Sequence, residues 1–192
     1  MRRLAVVAAC LVLTSACGAE ASPGPSQPFR VADQPSTVAT PSTPARTVSE
    51  PARIRIPSIG VDARLVPLGL AKDGSMETPA FGRAGWYEEG PKPGEDGPAV
   101  IAAHVDSKSG PDVFARLKTL SKGAKILVTD KQGKTHEFVA GRKQQTAKTA
   151  LPVKQIWGET DGPALRLITC GGAFDKTTSH YVANIIVWAD AA

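Results

Sequence analysis

Two side chains in the C-terminal three-quarters of this chain could together carry covalent acyl chemistry. Cys170 closes the apolar run 165–169 and is followed by Gly171 and Gly172. His104 closes the run 98–104 and is followed by the polar stretch 105–110. A thiol becomes a nucleophile as its thiolate, and a nearby imidazole can take and return the proton. Each residue sits at the end of an apolar strand, so each could be oriented by a core and still be reached. The glycines after Cys170 would permit a sharp turn and a close backbone approach to the thiol. The plain alternative for a lone cysteine is a small buried hydrophobe. Of the other histidines, His136 lies between Thr135 and Glu137 and reads as part of a solvated strand face. His180 follows the polar stretch 177–179 and reads as a turn or strand start.

These residues need strands to hold them. From Arg53 onward the sequence is a series of short β-type runs separated by turn residues. Residues 53–56 alternate polar and apolar. Residues 59–70 carry Val61, Leu65, Val66 and Leu68, interrupted by Pro67 and Gly69. The runs 98–104 and 125–130 read as strands, the first of them buried. The turn at 131–134 returns the chain into 135–140, and the runs 165–170 and 185–188 complete the set. Helical spacing is confined to 112–120, with Val113, Phe114, Leu117 and Leu120 on one side and Pro111 at the start. Seven or eight strands with so little helix predict an all-β barrel or sandwich. The region from 51 to 192 reads as one domain, with no internal repeat.

Composition narrows the class. The chain of 192 residues has 23 Lys plus Arg against 18 Asp plus Glu, a net charge of +5. No basic run is dense enough to indicate nucleic-acid binding. No His, Cys and carboxylate cluster at ligand spacing suggests a metal, no phosphate-cradling glycine loop is present, and no cofactor is expected. The N-terminus reads as an export signal over 1–17, with Arg2 and Arg3 before the uncharged run 4–16. That run is too short to span a bilayer comfortably. Ser15-Ala16-Cys17 resembles a bacterial lipoprotein processing box, which would make Cys17 a lipidation site; plain secretion and an uncleaved short anchor are the alternatives. Residues 18–50 are rich in Pro, Ser, Thr and Ala and have little to bury, so a disordered tether is expected. Cys10 and Cys17 lie in the signal region, which leaves Cys170 without a disulfide partner in the domain.

With these residues in view the domain becomes recognisable. Leu167-Ile168-Thr169-Cys170 resembles the Thr-Leu-x-Thr-Cys signature of the sortases, with Arg166 at the position of the leading Thr. The block 165–175, the segment Ala103-His104-Val105-Asp106-Ser107 and Ala84-Gly85-Trp86-Tyr87 together resemble the actinobacterial class F sortases. The resemblance implies an eight-stranded β-barrel with one or two short helices, and an exported enzyme at the outer face of the cell membrane. It implies a transpeptidase that cleaves a Leu-Pro-x-Thr-Gly-like sorting motif. Cys170 would form a thioester, and His104 would protonate the leaving amine. The implied partners are sorting-signal-bearing surface proteins, an amine acceptor such as a peptidoglycan precursor, and the membrane through the N-terminus.

One part of the family pattern is missing. Sortases carry an arginine on the strand after the cysteine, and residues 181–187 contain none. Arg166 shares strand parity with Cys170 and is a candidate for oxyanion stabilisation or substrate positioning, or else a rim charge paired with an acid. Asn184 could supply a neutral hydrogen bond. Asp106 could orient His104 or simply form a turn. The gap leaves a rival reading, a sortase-fold lipoprotein that binds without turnover. A cysteine L,D-transpeptidase is disfavoured, because that family resembles a Ser-His-Gly-Cys pattern and Ile168 stands at the histidine position.

Overall fold

The computed structural model describes residues 48–192. The expected signal, Cys17 and most of the tether lie outside the described residues. Eight strands close into a barrel in the order β1-β2-β3-β4-β9-β10-β8-β7. They are β1 (Pro51–Ile56), β2 (Val61–Leu68), β3 (Ala84–Tyr87), β4 (Gly97–Ala103), β7 (Lys125–Asp130), β8 (Thr135–Ala147), β9 (Pro163–Asp175) and β10 (His180–Ala191). The short strands β5 (Asp106–Ser107) and β6 (Gly110–Pro111) form a separate ribbon directly after His104. The predicted eight-stranded barrel is therefore the fold. Among the described residues, no helix is long and apolar enough to cross a membrane.

Strand alternation sorts the apolar residues into two layers. Ile54, Ile56, Val61, Leu65, Ala84, Ile101, Ala103, Ile126, Val128, Phe138, Leu165, Leu167, Ile185 and Val187 fill the barrel with Phe114 and Leu117. On the outer face, Tyr87, Val100, Ile168, Ile186 and Trp188 form a second layer, capped by Ile156 of α1 (Val153–Trp157). A sheet apolar on both faces needs such a cover, and α1 supplies it over β4, β9 and β10.

Several elements differ from the sequence expectation. The short helical turn expected within 112–120 is a 3-10 segment at Leu117–Thr119, preceded by turns. Among the described residues the one α-helix, five residues long, lies at Val153–Trp157, where the sequence has no repeat of helical spacing to detect. β8 runs to Ala147 and β10 starts at His180, because long polar strands lack an apolar signature yet still pair fully with each other. β9 does not stop at Cys170 but continues to Asp175, paired with β10. Gly171 and Gly172 therefore do not turn the chain.

Candidate functional site

The pairing of β4 with β9 brings Cys170 and His104 together. Six consecutive parallel pairs, from Gly97↔Pro163 to Ala102↔Ile168, join residues whose numbers differ by 66. His104 and Cys170 differ by the same 66 and lie two residues beyond the last pair. The step between is tied by Thr169, whose buried hydroxyl donates to the Ala103 carbonyl at 2.8 Å. Neighbouring strands run about 4.8 Å apart, so this register, carried two residues on, directs His104 toward the position opposite Cys170. Their side chains share a face, since Val100 and Ile168, on the same parities, both belong to the outer layer.

Cys170 gains its access from where β4 stops. β4 ends at Ala103, whereas β9 continues, so past Thr169 one edge of β9 has no strand against it. The other edge stays paired, with Asn184 opposite Cys170. The thiol is partly exposed and is the free cysteine of the described residues. The glycines admit close neighbours, but these are side chains of β10 against the glycines themselves. A Cβ on Gly171 would lie 2.7 Å from Ile185 Cγ1, and one on Gly172, where φ is +78°, would lie 2.9 Å from Ala183 Cβ. β10 thus lies tight against β9 just beyond the thiol.

His104 is held from three sides. Its carbonyl accepts from Phe114 N at 2.9 Å, which fixes the backbone. Its Nε2 lies 2.9 Å from the Pro79 carbonyl, and Phe81 packs on the ring with centroids 4.5 Å apart. A carbonyl only accepts, so this bond assigns the Nε2 proton and leaves Nδ1 as the lone pair of the neutral ring. Pro79 and Phe81 belong to the 69–83 connection between β2 and β3. That connection is pinned by Gly82 N, which donates to the Asp112 carboxylate at 3.0 and 3.2 Å.

A second clasp links the two sides of the site. The Tyr181 hydroxyl donates to the Asp106 carboxylate, joining β10 to the ribbon that follows His104. Tyr181 also packs edge-on against Phe174 of β9, at 5.2 Å between centroids. The hydrogen bond to Asp106 raises the Tyr181 pKa above its ordinary value, and the nearby Cys170 adds to the shift. Asp106 is thus engaged by Tyr181.

The remaining candidates fall elsewhere. Arg166 is 5% exposed and lies four residues from Cys170, about 13 Å along an extended strand. Its Nη1 donates to the carbonyls of Leu165 (3.1 Å) and Ala189 (3.5 Å), both toward the end of β9 away from the thiol. Burial lowers its pKa, opposed by Asp190, and its Nε is buried without a partner. The structure does not bring this guanidinium to Cys170 and His104. His180 is exposed, opposite Asp175. His136 is not on a solvated face as the sequence suggested. Its side chain is largely buried and its Nε2 lies 3.3 Å from the Asp130 carboxylate. Burial alone would raise the Asp130 pKa, but hydrogen bonds from His136, Lys134 N and Gln132 N outweigh it and lower the value. Sequence reasoning also missed Pro79, Phe81 and Tyr181. Only the aromatic identities hinted at them, because their roles depend on a loop path and a cross-strand register.

Comparisons with known proteins bear on the family and the fold. A family model described as the sortase domain matches residues 54–192. The chain belongs to the sortase family. Its fold is similar to sortase C2 of the Group B Streptococcus pilus island 1, with a TM-score of 0.57 and 21% identity over 76% of each chain. It is similar also to sortase A of Listeria monocytogenes (TM-score 0.56, 17% identity, 73% of this chain and 86% of that one). A third match is the sortase D5 transpeptidase of Clostridium perfringens (TM-score 0.54, 20% identity, 74% of this chain and 79% of that one). The sequence matches no curated protein.

Proposed function

We propose that this protein is a working cysteine transpeptidase of the class F type, which cleaves a Leu-Pro-x-Thr-Gly-like sorting motif and passes the acyl group to a cell-envelope amine. The observation that supports the reading is the offset of 66 in the β4–β9 register, from which we take the thiol and the imidazole to be neighbours on one face. Cys170 attacks the Thr carbonyl, the C–S bond forms, and the peptide C–N bond breaks. The proton that the thiol gives up passes to His104 Nδ1 and from there to the leaving amine. With Nε2 anchored on Pro79, Nδ1 is the nitrogen that exchanges protons. An incoming amine then attacks the thioester, gives a proton back to His104, and releases the thiolate. Class F membership rests on the three sequence blocks around Trp86, His104 and Cys170. An export signal, a tether over 18–50 and attachment through the N-terminus, with Cys17 as the lipidated residue, complete the proposal.

A second reading, a binding module without turnover, draws on one observation. β10 offers no arginine beside Cys170, and the bulge between Tyr181 and Ala183 instead presents Val182, 50% exposed. The two readings separate on incubation of the full chain with a Leu-Pro-x-Thr-Gly peptide and a glycine amine. Mass spectrometry should find the transfer product with wild type and none with Cys170→Ala. Absence of cleavage across several motif variants would favour the binding module.

A further inference from the structure

The row that contains Cys170 and His104 does not end at His104. Leu65 of β2 pairs with Ala84 of β3, and Ala84 pairs with Ala103 of β4. All three point into the barrel. The residues one step beyond them, Arg64, Arg83 and His104, therefore lie in sequence across the outer face. Arg53 extends the row, since it pairs directly with Arg64. From one edge to the other the order is Arg53, Arg64, Arg83, His104, Cys170.

This row gathers three exposed arginines on one face. Like charges directly opposite each other on paired strands are destabilising. Arg53 is neutralised by Asp62, but among the described residues the guanidinium groups of Arg64 and Arg83 have no hydrogen bond or ion pair. They line a groove of about 400 Å³ with Arg53, Asp62, Gly82 and Phe81. Phe81 is 62% exposed and forms the wall between this groove and His104. The groove therefore opens on the imidazole side of the pair and carries unpaired positive charge.

We infer that Arg83 and Arg64 bind a carboxylate of the amine acceptor and so align its amine with the acyl-enzyme. The inference rests on the transpeptidase reading above. The group that protonates the leaving amine must also deprotonate the incoming one, so the acceptor enters on the His104 side. In that step the acceptor nitrogen forms the C–N bond, the C–S bond breaks, the proton passes to His104 and Cys170 regains its thiolate. Arg83 stands two strands from Cys170 and Arg64 three, about 10 and 14 Å by strand spacing. A carboxylate two or three residues from the amine spans that gap at about 3.5 Å per residue, with the arginine side chains reaching inward.

The test uses two acceptors that differ only in charge, C-terminally amidated Gly-Gly-Glu and Gly-Gly-Gln. The readout is the ratio of transfer to hydrolysis from a preformed acyl-enzyme, compared between the two acceptors within each protein. Wild type should favour the Glu acceptor by about fivefold, the scale of one well-placed charge contact. The preference should shrink toward unity in Arg64→Gln or Arg83→Gln, and in high salt. Equal partitioning in wild type, or a preference that survives both substitutions, would overturn the inference. A second measurement is independent of turnover. In the Cys170→Ala chain, NMR titration should shift the Gly82 and Arg83 amides with the Glu peptide and not with the Gln peptide. Equal response to both peptides also overturns it. Absence of any acyl-enzyme counts against the transpeptidase reading itself, and is seen before an acceptor is added.

Discussion

His104 and His136 stand near one another in type and far apart in circumstance. His136 is sunk into a closed setting. Its ring faces the buried Asp130, and Gly94 packs so close that a Cβ there would lie 2.2 Å from Nδ1. Asp130 in turn accepts from two backbone amides. Its polar contact is internal. His104 is half-buried, tethered through one nitrogen to the Pro79 carbonyl, and stands beside a partly exposed thiol. A satisfied, enclosed pair stabilises a barrel. A group with one nitrogen anchored and the other uncommitted can move a proton. The difference lies in what surrounds the ring, not in the strand that delivers it.

The comparison can be broken first at the site. His104→Ala should lower the rate of acyl transfer by roughly a thousandfold or more, within the range for loss of an acid–base group. Its melting temperature should stay close to that of wild type, because a partly exposed ring is lost. At the other histidine the pattern should reverse. His136→Ala strips the Asp130 carboxylate of a partner in a buried setting and should cost about 1–3 kcal/mol of stability, read by urea unfolding, with turnover retained in the folded fraction. Gly94→Ala should act through the same place, since φ there is +108° and the new Cβ would meet the His136 ring. A loss of about 1–3 kcal/mol is expected.

The pH dependence of stability follows from Asp130. Its pKa is lower in the folded state than in the unfolded chain, so the stabilisation is present above the unfolded value, near pH 4, and is lost as pH falls through the folded value. Wild type should therefore lose its advantage over Asp130→Asn as the solution is acidified below about pH 4. An advantage that persisted to pH 2 would assign the difference to packing instead.

The smallest effect should come from Arg166→Met. The guanidinium is buried with carbonyl partners alone and an unpartnered Nε. Replacing such a charge with an apolar side chain of similar length should change stability by no more than about 1 kcal/mol, in the stabilising direction if at all. Turnover should be retained, measured by peptide cleavage. Loss of turnover with the fold intact would return Arg166 to the reaction.

Much of this was legible in the sequence, and the gaps have physical causes. The all-β class followed from strands whose interior-facing residues are apolar, as with Ile54 and Ile56 or Leu165 and Leu167. Cys170 and His104 stood out because each follows an apolar run. The reason for their exposure was not legible. Cys170 is reachable because β4 stops while β9 continues, and chain ends of neighbouring strands carry no mark in either strand alone. His136 misled for a related cause. Its local polarity suggested solvent, but its cover comes from Gly94, distant in sequence. The clasp of Tyr181 to Asp106 spans 75 positions and depends on a bulge in β10. The arginine row is similar: Arg53, Arg64 and Arg83 look like scattered surface charges until three registers line them up.

The central claim is that the thiol beside His104 takes up an acyl group. The direct measurement is intact-protein mass after brief mixing with a Leu-Pro-x-Thr-Gly peptide and acid quench, followed by peptide mapping. The account predicts a mass increase equal to the Leu-Pro-x-Thr acyl fragment, mapped to Cys170 and removed by hydroxylamine. An unmodified Cys170 under conditions where the folded protein binds the peptide, or an adduct at another residue, would contradict it.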